Sequence, residues 1–200
     1  MIPFPPARNS ICDIQEGFRN AIHEFPTVIS TATKLLQASV PLQIPTVVTE
    51  QNPSRLGTTI PEISSLLSPS LLLLPPLPKT LFSMMLPQVL LALRQQNITS
   101  VAIAGIESHV CILQTCLDLL KANLEVYAIS DGISSCNKEE VPIAVARMRQ
   151  EGVRVTTSES WLYEVMMDSD RPEFREVLKV VKATNDSTRE GLGKLCKSSL

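Results

Sequence analysis

The chain has no hydrophobic run long enough to cross a bilayer. Its longest apolar stretch, Leu71 to Leu77, is interrupted by Pro75 and Pro76, and a spanning helix needs about 20 apolar residues. There is no basic run and no interleaving of aromatic with basic residues, and the net charge is −2. Nothing therefore favours a polyanion, since nucleic-acid binding is driven by clustered Lys and Arg. There are only two histidines, His23 and His109, and neither joins a ligand motif such as HExxH. No transition-metal site is expected. GxGxxG and GxxxxGK[ST] are missing, which excludes the usual nucleotide phosphate cradles. GxSxG is missing, which argues against an α/β-hydrolase nucleophile elbow.

Disulfides are not expected either. The five cysteines, Cys12, Cys111, Cys116, Cys136 and Cys196, are odd in number and contain no CxxC pair. The segment Met1–Arg8, with three prolines, does not read as a secretory signal. Reduced thiols in a cytoplasmic protein are the expectation. The C-terminal Ser198-Ser199-Leu200 matches a peroxisomal Ser-Lys-Leu address only weakly, because the lysine is missing.

What is present is a regular alternation. Short runs, mostly rich in Val, Ile and Leu, read as buried strands at Ile44–Thr49, Leu71–Leu74, Val101–Ala104, Leu124–Ile129 and Val153–Thr156, and a first strand is expected near Asn9–Asp13 although Asn9 and Ser10 are poor strand formers. Helical periodicity fills the gaps. One helix follows Pro26 and is expected to stop at Pro41; others cover Leu86–Arg94, Cys111–Ala122, a stretch opened by Asn137 and Glu140 and running through Met148, Glu159–Met167 and Pro172–Val181. The polar tail after Ala183 is expected to be loose. Strands alternating with helices imply parallel pairing with right-handed crossovers. The predicted fold is a three-layer α/β/α domain over residues 1–182, an open parallel sheet of about six strands with helices on both faces, followed by a tail over 183–200.

Ligands bind such sheets outside the carboxyl ends of the strands, so the residues just after each strand can meet. Asp13 and Gln15 follow the first strand. Thr49, Glu50 and Gln51 follow the second, Lys79 the third, Gly105 through Cys111 the fourth, and Asp131 the fifth. An acid, an amine and a thiol converge. Ser108 can cap a helix with Cys111 in its first turn, where the helix dipole and the Lys79 ammonium favour a thiolate. Asp13 can accept the thiol proton and return it to a leaving group. Each residue also has a plainer reading. Cys111 alone is a small buried residue, Asp13 a helix cap, Lys79 a solvated turn residue, and Asp131-Gly132 a common turn.

The segment Gly105-Ile106-Glu107-Ser108-His109-Val110-Cys111 resembles the nucleophile loop of the isochorismatase-like cysteine hydrolases. Asp13-Ile14-Gln15 with Phe18, and Lys79-Thr80-Leu81-Phe82-Ser83, resemble that family's first-strand and lysine motifs, in the right order. Thr49-Glu50-Gln51-Asn52-Pro53, Ala146 to Gln150 and Thr157-Ser158-Glu159 are similar to the branch of eukaryotic isochorismatase domain-containing proteins. The resemblance implies Cys111 attacking an amide or ester-like carbonyl, with Asp13 and Lys79 completing the catalytic set. It implies an oxyanion hole from the backbone N–H groups of Glu107 and Cys111, presented by a cis peptide at Ile106–Glu107. It implies small-substrate contacts from Gln15, Phe18, Gln51 and Phe82, no cofactor, no nucleic-acid or membrane partner, and a homo-oligomer, dimer or tetramer. The metal-binding Asp and His set of the nicotinamidase branch is not found after the second strand, so nicotinamide hydrolysis is not expected. The competing expectation is a binding or interaction protein that keeps the fold without turnover; a generic doubly wound domain with a chance thiol is a third.

Overall fold

In the computed structural model, residues 7–196 are described, with side chains from Ser10 onwards. The strands are β1 (Ala7–Cys12), β2 (Thr46–Gln51), β3 (Leu77–Lys79), β4 (Ser100–Ile106), β5 (Glu125–Ser134) and β6 (Arg154–Thr156). They form one sheet in the order β3-β2-β1-β4-β5-β6, and every pairing is parallel. This is the doubly wound arrangement, with its switch point between β1 and β4.

The helices are α1 (Phe25–Leu42), α2 (Pro53–Leu56), α3 (Pro61–Ser64), α4 (Pro87–Gln95), α5 (Leu113–Lys121), α6 (Glu140–Gln150), α7 (Ser158–Met166), α8 (Phe174–Ala183) and α9 (Asn185–Leu195). They cover both faces of the sheet. On one face Phe25, Val28 and Leu35 of α1 pack with Trp161 and Leu162 of α7 and Val177 of α8. On the other, Val89 and Leu93 of α4, Cys116 and Leu119 of α5, and Val145 and Met148 of α6 form a second core. Strands buried on both sides need no alternation, which is why β4 reads Ser-Val-Ala-Ile-Ala-Gly-Ile and is buried throughout.

Several boundaries differ from the sequence expectation. Leu71–Leu74 is not a strand. Only Leu72 forms a bridge, to Thr46, because Pro75 and Pro76 have no N–H to extend a ladder. Pairing resumes at Leu77, and Pro78 is tolerated there because β3 is an edge strand. Pro41 does not stop α1 but lies in its last turn; the helix ends one residue later, where Gln43 turns left-handed at φ 52°. Asp131 does not follow β5. The register against β4 jumps from Ile103–Ala128 to Gly105–Ile133, so the expected Asp131-Gly132 turn is a bulge within a longer strand.

The loose tail expected after Ala183 is also corrected. Residues Asn185–Leu195 form α9, which lies against α1 and β5. Its sequence is polar because only one stripe is buried: Thr188, Gly191 and Leu195. Thr188 receives a 2.5 Å hydrogen bond from the Lys34 ammonium of α1, which also donates to Ser158 Oγ at 2.8 Å. Ser158 in turn donates to Asp131 through both its backbone N–H (2.7 Å) and its hydroxyl (2.5 Å). Burial depresses the pKa of Lys34, and the charge of Asp131 opposes that shift. Ser198-Ser199-Leu200 lie outside the described residues.

A docked α9 makes Leu195, 4% exposed, a core residue. Leu195→Ala is expected to lower the unfolding free energy by about 2–5 kcal/mol, read from urea denaturation. A loose tail would give a change near zero.

Candidate active site

The carboxyl ends of β1, β2, β3 and β4 meet at the switch point. β1 ends at Cys12, and Asp13 takes a left-handed conformation, φ 56°, one that Asp tolerates better than most residues. That turn carries the Asp13 carboxylate under β2, where Thr49 Oγ1 donates to Oδ1 at 2.8 Å. Lys79 is the last residue of β3 rather than a residue of the following turn. Its Nζ lies 2.7 Å from Asp13 Oδ2, with both side chains essentially inaccessible. Nζ also donates to Gln51 Oε1 at 2.6 Å and approaches the carbonyls of Leu81 and Phe82 at 3.1 and 3.0 Å. Cys111 Sγ is 3.9 Å from the same nitrogen. An ammonium has three protons, and four oxygens lie closer, so the sulfur is an electrostatic neighbour more than a hydrogen-bond partner. Asp13, Lys79 and Cys111 are thus brought together as the strand-end argument requires.

Cys111 does not sit in the first turn of an ordinary α-helix. Ser108–Ile112 is a π-helical turn that runs into α5, a device that recurs at functional sites. Gly105 at φ 137° and Glu107 at φ 47° make the reversal out of β4. A β-carbon on Gly105 would collide with the carbonyl oxygen of Cys12, so only glycine lets β4 approach β1 there. No peptide bond among the described residues is cis. The expected cis bond at Ile106–Glu107 is therefore corrected to trans; the positive φ values supply the turn instead. The expected Ser108 cap is also absent. The Ser108 hydroxyl is buried against Ser135 Oγ at 2.5 Å, and Ser135 lies 2.9 Å from His109 Nδ1.

The residues expected to touch substrate divide. Gln15 is fully buried, and its amide spends both N–H groups on the carbonyls of Gln51 and Gly57 while its oxygen accepts the Gln51 N–H. It braces β2 against the following loop. Phe18 is half-buried against the α1 core. Gln51 bridges Lys79 and the Thr80 carbonyl. Phe82 is 51% exposed beside the Lys79 ammonium. A cavity of about 310 Å³ lies elsewhere, between His23, Lys138, Pro142 and Lys194.

Two contributors were missed from sequence. Thr115 Oγ1 donates to the Cys111 carbonyl at 2.6 Å and accepts the Met84 N–H at 2.9 Å, joining the lysine loop to the thiol turn. Its only sequence signal is a Thr four residues after the Cys on a helix. Cys12 is wholly buried and donates its S–H to Asp13 Oδ2 at 3.3 Å. Burial, reinforced by the neighbouring Cys111 and Asp13, pushes its thiol well up. Cys116 is pushed up to about 12 by burial. Burial would depress Lys79, but the negative charge that Cys12, Asp13 and Cys111 carry or can carry outweighs it and raises its pKa above 10.5.

A parallel sheet with an acid, an ammonium and a thiol at its switch point is a hydrolase-like α/β arrangement. The isochorismatase domain matches residues 11–160, and the chain belongs to that family. It is 38% identical over 172 residues to isochorismatase domain-containing protein 2 of Xenopus laevis, covering 86% of this chain and 81% of that protein. The solved structure of a protein named MAR1 ribonuclease, from Caenorhabditis elegans, superposes with a TM-score of 0.85 at 37% identity, covering 90% of this chain and 92% of that one. The ycaC product of Escherichia coli, described as an octameric hydrolase of unknown specificity, shares the fold alone: TM-score 0.81 at 16% identity over 96% of each chain. No helix among the described residues is long and apolar enough to cross a membrane.

The buried pair yields two expectations. Asp13→Ala leaves an uncompensated ammonium and should cost about 3–5 kcal/mol, and Asp13→Ala with Lys79→Met should recover part of it. Because the folded pKa of Lys79 is raised, its stabilising contribution is fully present below 10.5 and is lost as pH rises through the folded value. The stability difference between wild type and Lys79→Met, measured by urea denaturation, should therefore shrink above pH 10.5.

Proposed function

We propose that this chain is a cysteine hydrolase of small amides or related C–N and ester bonds, with Cys111 as nucleophile, Asp13 as general acid and base, and Lys79 as the charge beside them. The observation that carries this reading is the shared ammonium: one nitrogen 2.7 Å from the carboxylate and 3.9 Å from the sulfur. Asp13 takes the thiol proton. The sulfur attacks the substrate carbonyl, and the oxyanion is held by backbone N–H groups of the thiol turn, that of Cys111 among them. Collapse breaks the C–N bond, with the proton on Asp13 passing to the departing nitrogen. Water then attacks the thioester, giving up a proton to Asp13, and the acid product leaves as the thiol is regenerated. No cofactor enters this cycle.

Phe82 and Leu81, both more than half exposed, are the apolar groups nearest Lys79 that a substrate could cover. Leu91 on α4 is 57% exposed while Val89, Ala92 and Leu93 of that helix are buried. One exposed leucine is ordinary on a protein surface, so the homo-oligomer reading draws on the octameric assembly of the ycaC product. The ribonuclease name of the C. elegans protein suggests RNA as a substrate, but a net charge of −2 with no basic cluster favours a small uncharged one. A binding protein without turnover is the second reading, favoured by the 5% exposure of Cys111.

A panel of small amides and esters should be hydrolysed by wild type and slowed roughly a thousandfold or more by Cys111→Ala. RNA cleavage that disappears in Cys111→Ala would replace the amide reading with a phosphodiester one. Iodoacetamide labelling with peptide mapping provides a test independent of substrate. Cys111 should label at pH 6 faster than Cys136, the exposed thiol, and should slow in Lys79→Ala. Equal labelling, unchanged in the variant, would favour the binding protein. Cys196, expected in a loose tail, is half-buried at the end of α9, and burial raises its pKa; it is not the competing thiol.

A further inference from the structure

We propose that Glu107, His109 and Cys136 form a binding site for a borderline transition-metal ion of the zinc type, outside the Asp13–Lys79–Cys111 cluster. One carboxylate oxygen, one imidazole nitrogen and the Cys136 sulfur all lie within 4.8 Å of one another. Glu107 and His109 come from the turn after β4, and Cys136 from the segment just after β5. The two strands are neighbours in the sheet, so the site exists only because their carboxyl ends are adjacent.

The donor set suits the ion. Thiolate, imidazole and carboxylate are the three zinc ligand types. Around one tetrahedral ion the donor atoms stand roughly 3.5 Å apart, from zinc bond lengths of about 2.0–2.3 Å. His109 Nδ1 and Glu107 Oε2 are already 3.5 Å apart. Cys136 is exposed, so its side chain can swing inward by the remaining ångström or so without disturbing the core. One contact already ties the ligand segments together. Glu107 Oε2 accepts the Cys136 backbone N–H at 3.2 Å, which pins the two segments together. Ser135 Oγ, braced by Ser108, lies 2.9 Å from the same His109 Nδ1, a hydrogen bond that this nitrogen gives up when it takes the ion. With three protein ligands, the fourth position is open to water or to a further donor. A bound ion would tie the turn that leads into Cys111 to the end of β5.

The test uses the full chain and metal alone. Zn²⁺ affinity is measured by competition with a chromophoric chelator. Co²⁺ serves as the spectroscopic probe, because a thiolate ligand adds a sulfur-to-cobalt charge-transfer band in the near ultraviolet. Wild type should show the band and bind one Zn²⁺. Cys136→Ser should lose the band, and both Cys136→Ser and His109→Ala should weaken Zn²⁺ by at least about tenfold, since even an outer hydrogen-bond partner costs 10–100-fold. Cys111→Ser should keep the band and the affinity. Unfolding curves of each variant separate lost ligands from lost fold. Unchanged affinity in Cys136→Ser overturns the proposal, as does a band that vanishes in Cys111→Ser instead.

Discussion

The arrangement of this site depends on a buried ion pair. Asp13 and Lys79 are removed from water together, and such a pair is tolerated only when geometry is good and the remaining donors and acceptors are satisfied. Here they are. Thr49 and Cys12 serve the carboxylate, while Gln51 and the carbonyls of Leu81 and Phe82 serve the ammonium. Meeting these demands shapes the surroundings. Asp13 accepts a left-handed backbone, β3 stops at Lys79, and the loop after it folds back to present two carbonyls.

The pair also links elements distant in sequence. It joins the ends of β1 and β3 across β2, which lies between them. Thr115 joins the far side of the lysine loop to the thiol turn through Met84 and Cys111. Gly105 closes the circuit by letting β4 come against β1 where a side chain would not fit. The result is a thiol held near an ammonium by backbone and core packing on every side, with little freedom to rearrange. Under the proposed chemistry such rigidity is useful, because preorganised groups need no reorientation as charge develops.

The opposite face of the sheet shows how burial governs polar residues away from any proposed chemistry. Lys34, Ser158, Asp131 and Thr188 form a continuous hydrogen-bonded set inside the protein. It holds the bulge of β5, the start of α7 and the stripe of α9 to the middle of α1. This explains how a segment as polar as Asn185–Leu195 docks: one hydrogen bond from a buried ammonium to Thr188, with Leu195 buried at its end, anchors it.

Local pattern was enough for the class of fold, the parallel sheet and the edge at which Asp13, Lys79 and Cys111 gather, because buried parallel strands leave continuous Val, Ile and Leu runs and turn residues mark their ends, though it put the third strand at Leu71–Leu74 instead of Leu77–Lys79. The site's chemical types were legible for the same reason, as whatever follows each strand must gather at one edge. What local pattern does not carry is interaction between residues far apart. The bulge at Asp131 and the docking of α9 each depend on a neighbour from another part of the chain. So does the role of Gln15, which its sequence position suggested as a ligand contact and which tertiary packing spends on the backbone of β2. The cluster of Glu107, His109 and Cys136 was invisible for that reason too: its spacing in sequence matches no ligand motif, and only the adjacency of β4 and β5 brings the three donors together.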